Sequence, residues 1–213
     1  MVLSFSYYEL KLKTLRQRAA MDTTYGKPET LIGTALAPLD WTRSVGLAIG
    51  FSLLIAAAAQ VRIPIWPVPI TGQTFAVLLT GALLGSRLGA AAVIAYLIEG
   101  AIGLPFFQGF NGGAQYFAGQ TAGYLIAFPA AAYITGAFAE HGWDKRFWTA
   151  AAAMAVGSIV ILLSGWAWLS QFMPASVAFQ AGVTRFIPGD IVKIMLAAAA
   201  LPLGWKLIKK DKG

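Results

Sequence analysis

The sequence predicts an all-α integral membrane protein, a bundle of six transmembrane helices with both termini in the cytoplasm. Three observations predict it. Only 12% of the 213 residues are charged, where a soluble domain carries about a quarter, and mean hydropathy is +0.67. From Gly46 onward, long apolar runs are interrupted only by short polar breaks, the pattern of spans that each need roughly 20 apolar residues to cross about 30 Å of hydrocarbon. Basic residues, finally, gather at alternate breaks rather than at all of them.

The elements follow in order. Residues 1–40 are polar by comparison with the rest and read as a cytoplasmic tail, with a surface helix expected across Tyr8–Arg18. The opening MVLSFSYYELKLKTLRQR lacks the order of a signal peptide, since its basic residues follow a mixed segment and no small-residue cleavage site succeeds a clean apolar core. A membrane domain is expected over 41–208, with its first span at Val45–Val61. The break RIPIWPVPITGQ holds Pro64, Pro67 and Pro69, each of which removes a backbone donor and disfavours helix. A short span, Ile70–Leu84, turns at Gly85–Arg87 into a third, Leu88–Ile102, which contains Glu99. Gly103–Gly119, rich in glycine and aromatics, reads as a folded loop. Thr121–Ala139 and Phe147–Leu169 are spans joined by the charged turn Glu140–Arg146. Residues 170–189 read as a second structured loop, Asp190–Leu207 as the last span, and 209–213 as a basic tail.

Orientation comes from the basic residues. With both ends inside, the outward side holds only Arg62, Arg185 and Lys193, and the inward side holds the other 13 of the 16. The net charge of +7 is therefore a membrane-orientation signal and not a nucleic-acid footprint. The inward turns are short and charged, whereas the outward loops are long or rich in Pro and Gly. Such backbone at membrane depth is tolerated only when it is buried in protein or lines a cavity, so a ligand pocket is expected on the outward face.

The chain has no cysteine, no G-x-x-x-x-G-K-[ST] phosphate loop and no H-E-x-x-H motif. No catalytic or metal-ligating set is expected, no cofactor either, and any ATP-driven step falls to another subunit. Three charges lie in or at the edge of spans, Glu99, Asp190 and Lys193, where charge is costly and usually functional. Asp190 and Lys193 are three apart and share a helix face. A cation so near a helix start has no dipole reason to be there, which favours a ligand role. Gln73 and Asn111 offer amides in outward loops, and Trp66, Phe106, Phe107, Tyr116, Tyr124 and Trp168 are candidate aromatic walls. In the first span Ala48, Ser52 and Ala56 recur at spacing four, as do Gly46 and Gly50. Small residues so spaced let helix backbones approach closely, either within this chain or against a partner.

The segments AAQVRIPI (58–65), PVPITGQTFAVLLTGALLG (67–85), YLIEGAIGLPFF (96–107), GGAQYFAGQTAGYLIAFP (112–129) and FIPGDIVKIMLAAAALP (186–202) resemble, in order and spacing, the BioY biotin-specific S components of energy-coupling-factor (ECF) transporters. The resemblance covers Val45 to Leu207. It implies an S-component bundle in the cell membrane that captures biotin on the outer side beneath a lid between spans one and two. A transmembrane coupling subunit and two ABC-type ATPases would complete the importer. It further implies ligand contacts among Gln73, Glu99, Asn111, Tyr116, Thr121, Tyr124, Asp190 and Lys193, and docking of the coupling subunit through Ala48, Ser52 and Ala56. Arg62, Gln120 and Ala122 depart from the family pattern and alter the expected local loop shape. The chemistry agrees, because a ureido group, a thioether ring and a carboxylate tail call for apolar and aromatic walls with a few placed polar groups. Competing readings are an S component for another vitamin, a biotin carrier working alone, an intramembrane lipid enzyme, and a membrane scaffold. The scarcity of His, Cys and intramembrane Asp disfavours the enzyme.

Overall fold

The structure, a computed structural model, describes residues 30–36 and 39–211, with side chains described as far as residue 208. The Tyr8–Arg18 helix and the side chains of the 209–213 tail lie outside the described residues. A short helix α1 (Leu31–Ala35) is capped by Thr30, whose Oγ1 accepts from Gly33 N at 3.1 Å. The long α2 (Trp41–Gln60) starts where Asp40 accepts from Arg43 N at 2.8 Å, so both helices begin at side chains that satisfy an otherwise orphaned N–H. An antiparallel hairpin follows, β1 (Arg62–Ile63) and β2 (Ile70–Thr71), pairing Arg62 with Thr71 and Ile63 with Ile70. Then come α3 (Gln73–Leu84), α4 (Ser86–Ala101), a 3₁₀ turn (Ala114–Ala118), α5 (Ala122–Glu140), a 3₁₀ turn (Trp143–Lys145), α6 (Phe147–Leu169), α7 (Ala175–Phe179), a π turn (Gln180–Thr184) and α8 (Ile187–Asp211).

Among the described residues, four helical stretches are long and apolar enough to cross a membrane: Trp41–Gln60, Ala122–Glu140, Phe147–Leu169 and Ala175–Ile208. The other two expected spans are shorter. The 12 residues of α3 and the 16 of α4 extend about 18 Å and 24 Å at 1.5 Å per residue, less than a bilayer core. The prolines explain α3: they give the chain a hairpin where a helix would have needed donors. At 170–189 the structure differs from the expected loop, because Pro174 opens a helix that passes through the π turn into α8. The tail expected over 1–40 ends in α1, which packs against α3 and α8.

Helix α5 is the axis of the bundle. Its most apolar 18-residue stretch is 61% buried, against 22% for α2, and it packs on α3, α4 and α6. Glycines set these distances. A Cβ on Gly81 would overlap the carbonyl of Ala132, and one on Gly136 would overlap the backbone of Gly85 and Ser86. Gly85 itself turns the chain at φ 88°, and α4 then starts against Glu140. That carboxylate accepts from Ser86 N at 2.8 Å and Ser86 Oγ at 2.9 Å, favourable at a helix N-terminus.

At this same end Asp144 is 2% exposed. Its Oδ2 accepts from Trp205 Nε1 at 2.6 Å, and Lys145 Nζ lies 4.5 Å from the centre of the Trp205 ring. Asp144 Oδ1 and the buried Thr135 Oγ1 have no hydrogen-bond partner, and both residues border one small apolar void. Burial pushes the Asp144 carboxyl up to about 6, against the opposing pull of Trp205. A folded-state pKa above the ordinary value contributes stability at low pH that is lost as pH rises through about 6. In detergent, the melting temperature is therefore expected to fall between pH 5 and pH 7. Asp144→Asn, which keeps an acceptor for Trp205, should flatten that profile and melt higher at about pH 8. A variant profile parallel to wild type would contradict the assignment.

Candidate functional site

The end of the bundle bearing the β hairpin encloses the candidate site. A pocket open to one side is lined by Val68, Pro69, Leu125, Phe128 and Phe186 on its apolar side. Thr71, Gln73, Thr74, Gln108, Tyr116, Thr121 and Tyr124 supply polar groups. A second, smaller recess adjoins it and shares Thr74, with Asp190, Lys193, Ser158 and Met154 among its walls. Thr71, Gln108 and Tyr116 reach the site from the hairpin and the loops, whereas Phe128, Met154 and Ser158 reach it from helix interiors.

Lys193 ties three elements together. Its ammonium donates to the carbonyl of Thr71 in β2 at 2.9 Å, to Thr74 Oγ1 in α3 at 2.8 Å, and to Asp190 Oδ1 in α8 at 3.3 Å. The other carboxylate oxygen of Asp190 accepts from Ser158 Oγ of α6 at 2.5 Å. Asp190 is 5% exposed. A buried charge needs both an opposite charge and further hydrogen bonds, and both are present. A second network begins on the hairpin: Thr71 Oγ1 donates to Gln73 Oε1 at 2.9 Å, and Gln73 Nε2 donates to the Tyr96 hydroxyl at 2.6 Å. Tyr96 in turn donates to Phe106 O at 3.3 Å. Across the cavity, Tyr124 donates to Gly182 O at 2.9 Å, a carbonyl in the π turn. Burial raises the Tyr116 phenol above its ordinary pKa, so it stays neutral and can donate.

Of the residues expected from sequence, Gln73, Tyr116, Thr121 and Tyr124 line the cavity, and Asp190 and Lys193 the adjoining recess. Glu99 and Asn111 line neither. Glu99 is half-buried on α4, with Oε2 buried and unpartnered. Asn111 is exposed and donates from Nδ2 to Gln108 O at 2.9 Å, so it braces a turn. Ser52 is 0% and Ala56 7% exposed. They lie on the buried face of α2, which packs on α4 and α3, so these two are not free to receive a partner; Ala48 is half-buried. Among the aromatics, Phe107 is fully buried, edge-to-face with Tyr96 and Phe117 and tilted against Tyr116, while Trp66 is 75% exposed. The aromatic walls are Tyr116 and Tyr124 together with Phe128 and Phe186. Sequence reasoning also missed Thr71, Thr74, Gln108 and Ser158, polar residues without charge that carry no spacing signal. Among the described residues no three His, Asp or Glu side chains converge as a metal site would require.

A helical membrane chain with a roofed, partly polar cavity at one end defines a small-molecule-binding membrane protein. The BioY family model matches residues 27–210, and the chain belongs to the BioY family. It is 42% identical over 156 residues to a probable biotin transporter BioY of Pyrococcus horikoshii, covering 73% of this chain and 91% of that protein. Against the biotin transporter BioY of Thermotoga maritima it is 36% identical over 148 residues, 70% and 87% of the two chains. Its fold is similar to the crystal structure of the S-component for biotin from an ECF-type ABC transporter, with TM-score 0.73 and 28% identity over 81% of this chain and 95% of that one.

The Lys193 contacts carry an energetic consequence. Lys193→Met strands the Asp190 carboxylate in a buried position, at a cost of about 3–5 kcal/mol. Adding Asp190→Asn removes the stranded charge. The single variant should therefore melt lower in detergent than the Asp190→Asn/Lys193→Met double variant; the reverse order would show that the pair is not the buried unit described.

Proposed function

We propose that this chain is the biotin-binding membrane subunit of an importer, capturing biotin at the outward face and delivering it inward with an ATP-driven ECF module. The observation that carries this is the cavity itself: aromatic and aliphatic walls with Thr71, Gln73, Gln108, Tyr116 and Tyr124 around it, beside a buried Asp190–Lys193 pair. Its chemistry suits a ligand with a bicyclic ureido head, a thioether ring and an anionic tail. The names of the BioY relatives and of the similar S-component support the same ligand and the same kind of assembly. In this reading Asp190 accepts from ureido N–H groups, and Lys193 orients Asp190 or pairs with an anion.

The topology in this reading is six spans in the cell membrane with both termini cytoplasmic. The hairpin end then faces outward, and α3 and α4 span with the help of the loops seated on them. The short charged turns at Arg87 and Lys145–Arg146 lie inside, as the placement of basic residues favours. In this reading the membrane domain is 41–208, with a tail at either end and α1 of the first tail packed on α3 and α8. The chain acts without catalytic residues or a cofactor, biotin being cargo, and hydrolysis belongs to ABC-type ATPases joined through a coupling subunit. The docking face on α2 is assigned to its exposed side. Gly46 and Gly50 have nothing within 4 Å of where a Cβ would stand, which leaves room for close approach by a partner helix.

Two measurements test this. Biotin should raise the melting temperature of the purified protein, because a ligand that binds only the folded state stabilises it. Folded Asp190→Asn and Lys193→Ala variants should bind at least about tenfold more weakly, the value of one charge-assisted hydrogen bond. No shift with biotin, or a shift only with another vitamin, would overturn the reading. Gly50→Leu should leave biotin binding intact while reducing co-purification with coexpressed coupling subunit and ATPases; undiminished assembly would exclude this face.

A further inference from the structure

We propose that Gln108 reads the ligand directly, its side-chain amide hydrogen-bonding a polar group of the molecule held in the hairpin-end cavity. The proposal rests on the biotin-binding reading and assigns a contact that neither its spacing nor its charge marked in the sequence.

The first observation is an unfilled valence. Gln108 lines the cavity, and its Oε1 is buried without a hydrogen-bond partner. Its neighbours are differently placed. Thr71 and Gln73 bond each other, Gln73 also bonds Tyr96, Thr74 accepts from Lys193, and Tyr124 donates to Gly182. A buried amide oxygen left unpaired is unfavourable, and native proteins retain few of them. One that faces a cavity is a group waiting for a donor.

The second observation is the backbone that aims it. Gln108 begins a tight turn closed by two bonds, Phe107 N to Asn111 O at 2.9 Å and Asn111 N to Phe107 O at 3.3 Å. Inside the turn, Gly109 has φ 73° and Phe110 has φ 59°. Glycine takes the left-handed region freely, but a bulky residue there is an outlier that persists only when its surroundings impose it. Gln60 at the end of α2 imposes it. Its Nε2 donates to Phe107 O at 3.2 Å, and its Oε1 accepts from Phe110 N at 2.9 Å. The Asn111 side chain holds the Gln108 carbonyl as well. The result is a strained turn with Phe110 71% exposed on one side and the Gln108 amide in the cavity on the other. Strain and an unsatisfied polar atom coincide at one turn, and the cavity is what they have in common.

An amide can accept from a ureido N–H or donate to a carboxylate, and biotin carries both. The test uses the full-length protein, with biotin and biotin methyl ester titrated by calorimetry against wild type, Gln108→Leu and Gln115→Leu. Gln115 is an exposed glutamine of the same loop that bonds only Gly112 O. Gln108→Leu is expected to weaken biotin about tenfold to a hundredfold, the range for leaving a ligand polar group unpaired. Its ligand-free melting temperature should not fall, because an orphaned amide has been removed, and Gln115→Leu should bind as wild type. Equal losses for acid and ester place the ureido group at Gln108; a loss confined to the acid places the carboxylate there. Should Gln108→Leu not fold, Gln108→Ala carries the same expectation. Binding by the variant within twofold of wild type, or a lowered melting temperature with unchanged affinity, overturns the proposal. If wild type itself fails to bind biotin, the fault lies with the underlying reading, and this contact falls with it.

Discussion

A partly buried ammonium among apolar helices needs hydrogen-bond partners, and those of Lys193 organise the hairpin end of this protein. Its three bonds reach the hairpin, α3 and α8, and Asp190 extends the cluster to α6 through Ser158. The hairpin and α3, adjacent in sequence, are thereby held to the distant α6 and α8. Without the ammonium, the Thr71 carbonyl would lose this donor and the Asp190 carboxylate would keep only Ser158. The hairpin that roofs the cavity is therefore attached to the helices through the site. The polar groups of the candidate site and the local architecture share one set of bonds.

Glycine contacts set the complementary constraint at the other end. Gly81 against Ala132, Gly89 against Gly81, and Gly136 against the Gly85–Ser86 backbone bring α3, α4 and α5 into backbone contact. In hydrocarbon no hydrophobic force drives helices together, so close van der Waals approach must do so. The glycine contacts pack the backbones of α3, α4 and α5 closely, whereas the hairpin end, built from loops and larger side chains, holds the candidate site.

The helices were legible because apolar length is a property of composition: Phe147–Leu169 could be read to the residue, and α5 to within one. Other features depend on what a face packs against, and the sequence carries no partner. Spacing identified the small residues of α2 but not the direction they face. Ser52 and Ala56 point into the bundle, and Gly46 and Gly50 point out of it. Pro174 and the glycines of 170–189 suggested a loop, but Pro174 stands just before a helix, where its missing N–H costs nothing, and Gly182 sits in a π turn. At the site, charge marked Asp190 and Lys193. Ser158, Thr74 and Gln108 are ordinary polar residues until three-dimensional contact places them. Phe128 and Phe186 likewise become walls only once α5 and the segment before α8 meet across the cavity.

The bonding state of the cavity bears on how it discriminates. Gln73 already spends its oxygen on Thr71 and one N–H on Tyr96, and Tyr124 is committed to the π turn. These groups are locked before a ligand arrives, so binding freezes few of them, and preorganisation of this kind lowers the entropic cost of association. Their spare valences, the second N–H of Gln73 and the free lone pairs of Tyr124, point in fixed directions. A ligand that matches them loses little, and one that lacks a donor or acceptor leaves a buried group unpaired, which discriminates far more strongly than a missing methylene would. Selectivity in such a site follows from polar groups that cannot rearrange to suit a poorer guest. The hairpin, α3, α8 and the braced 107–111 turn all serve to keep them from doing so.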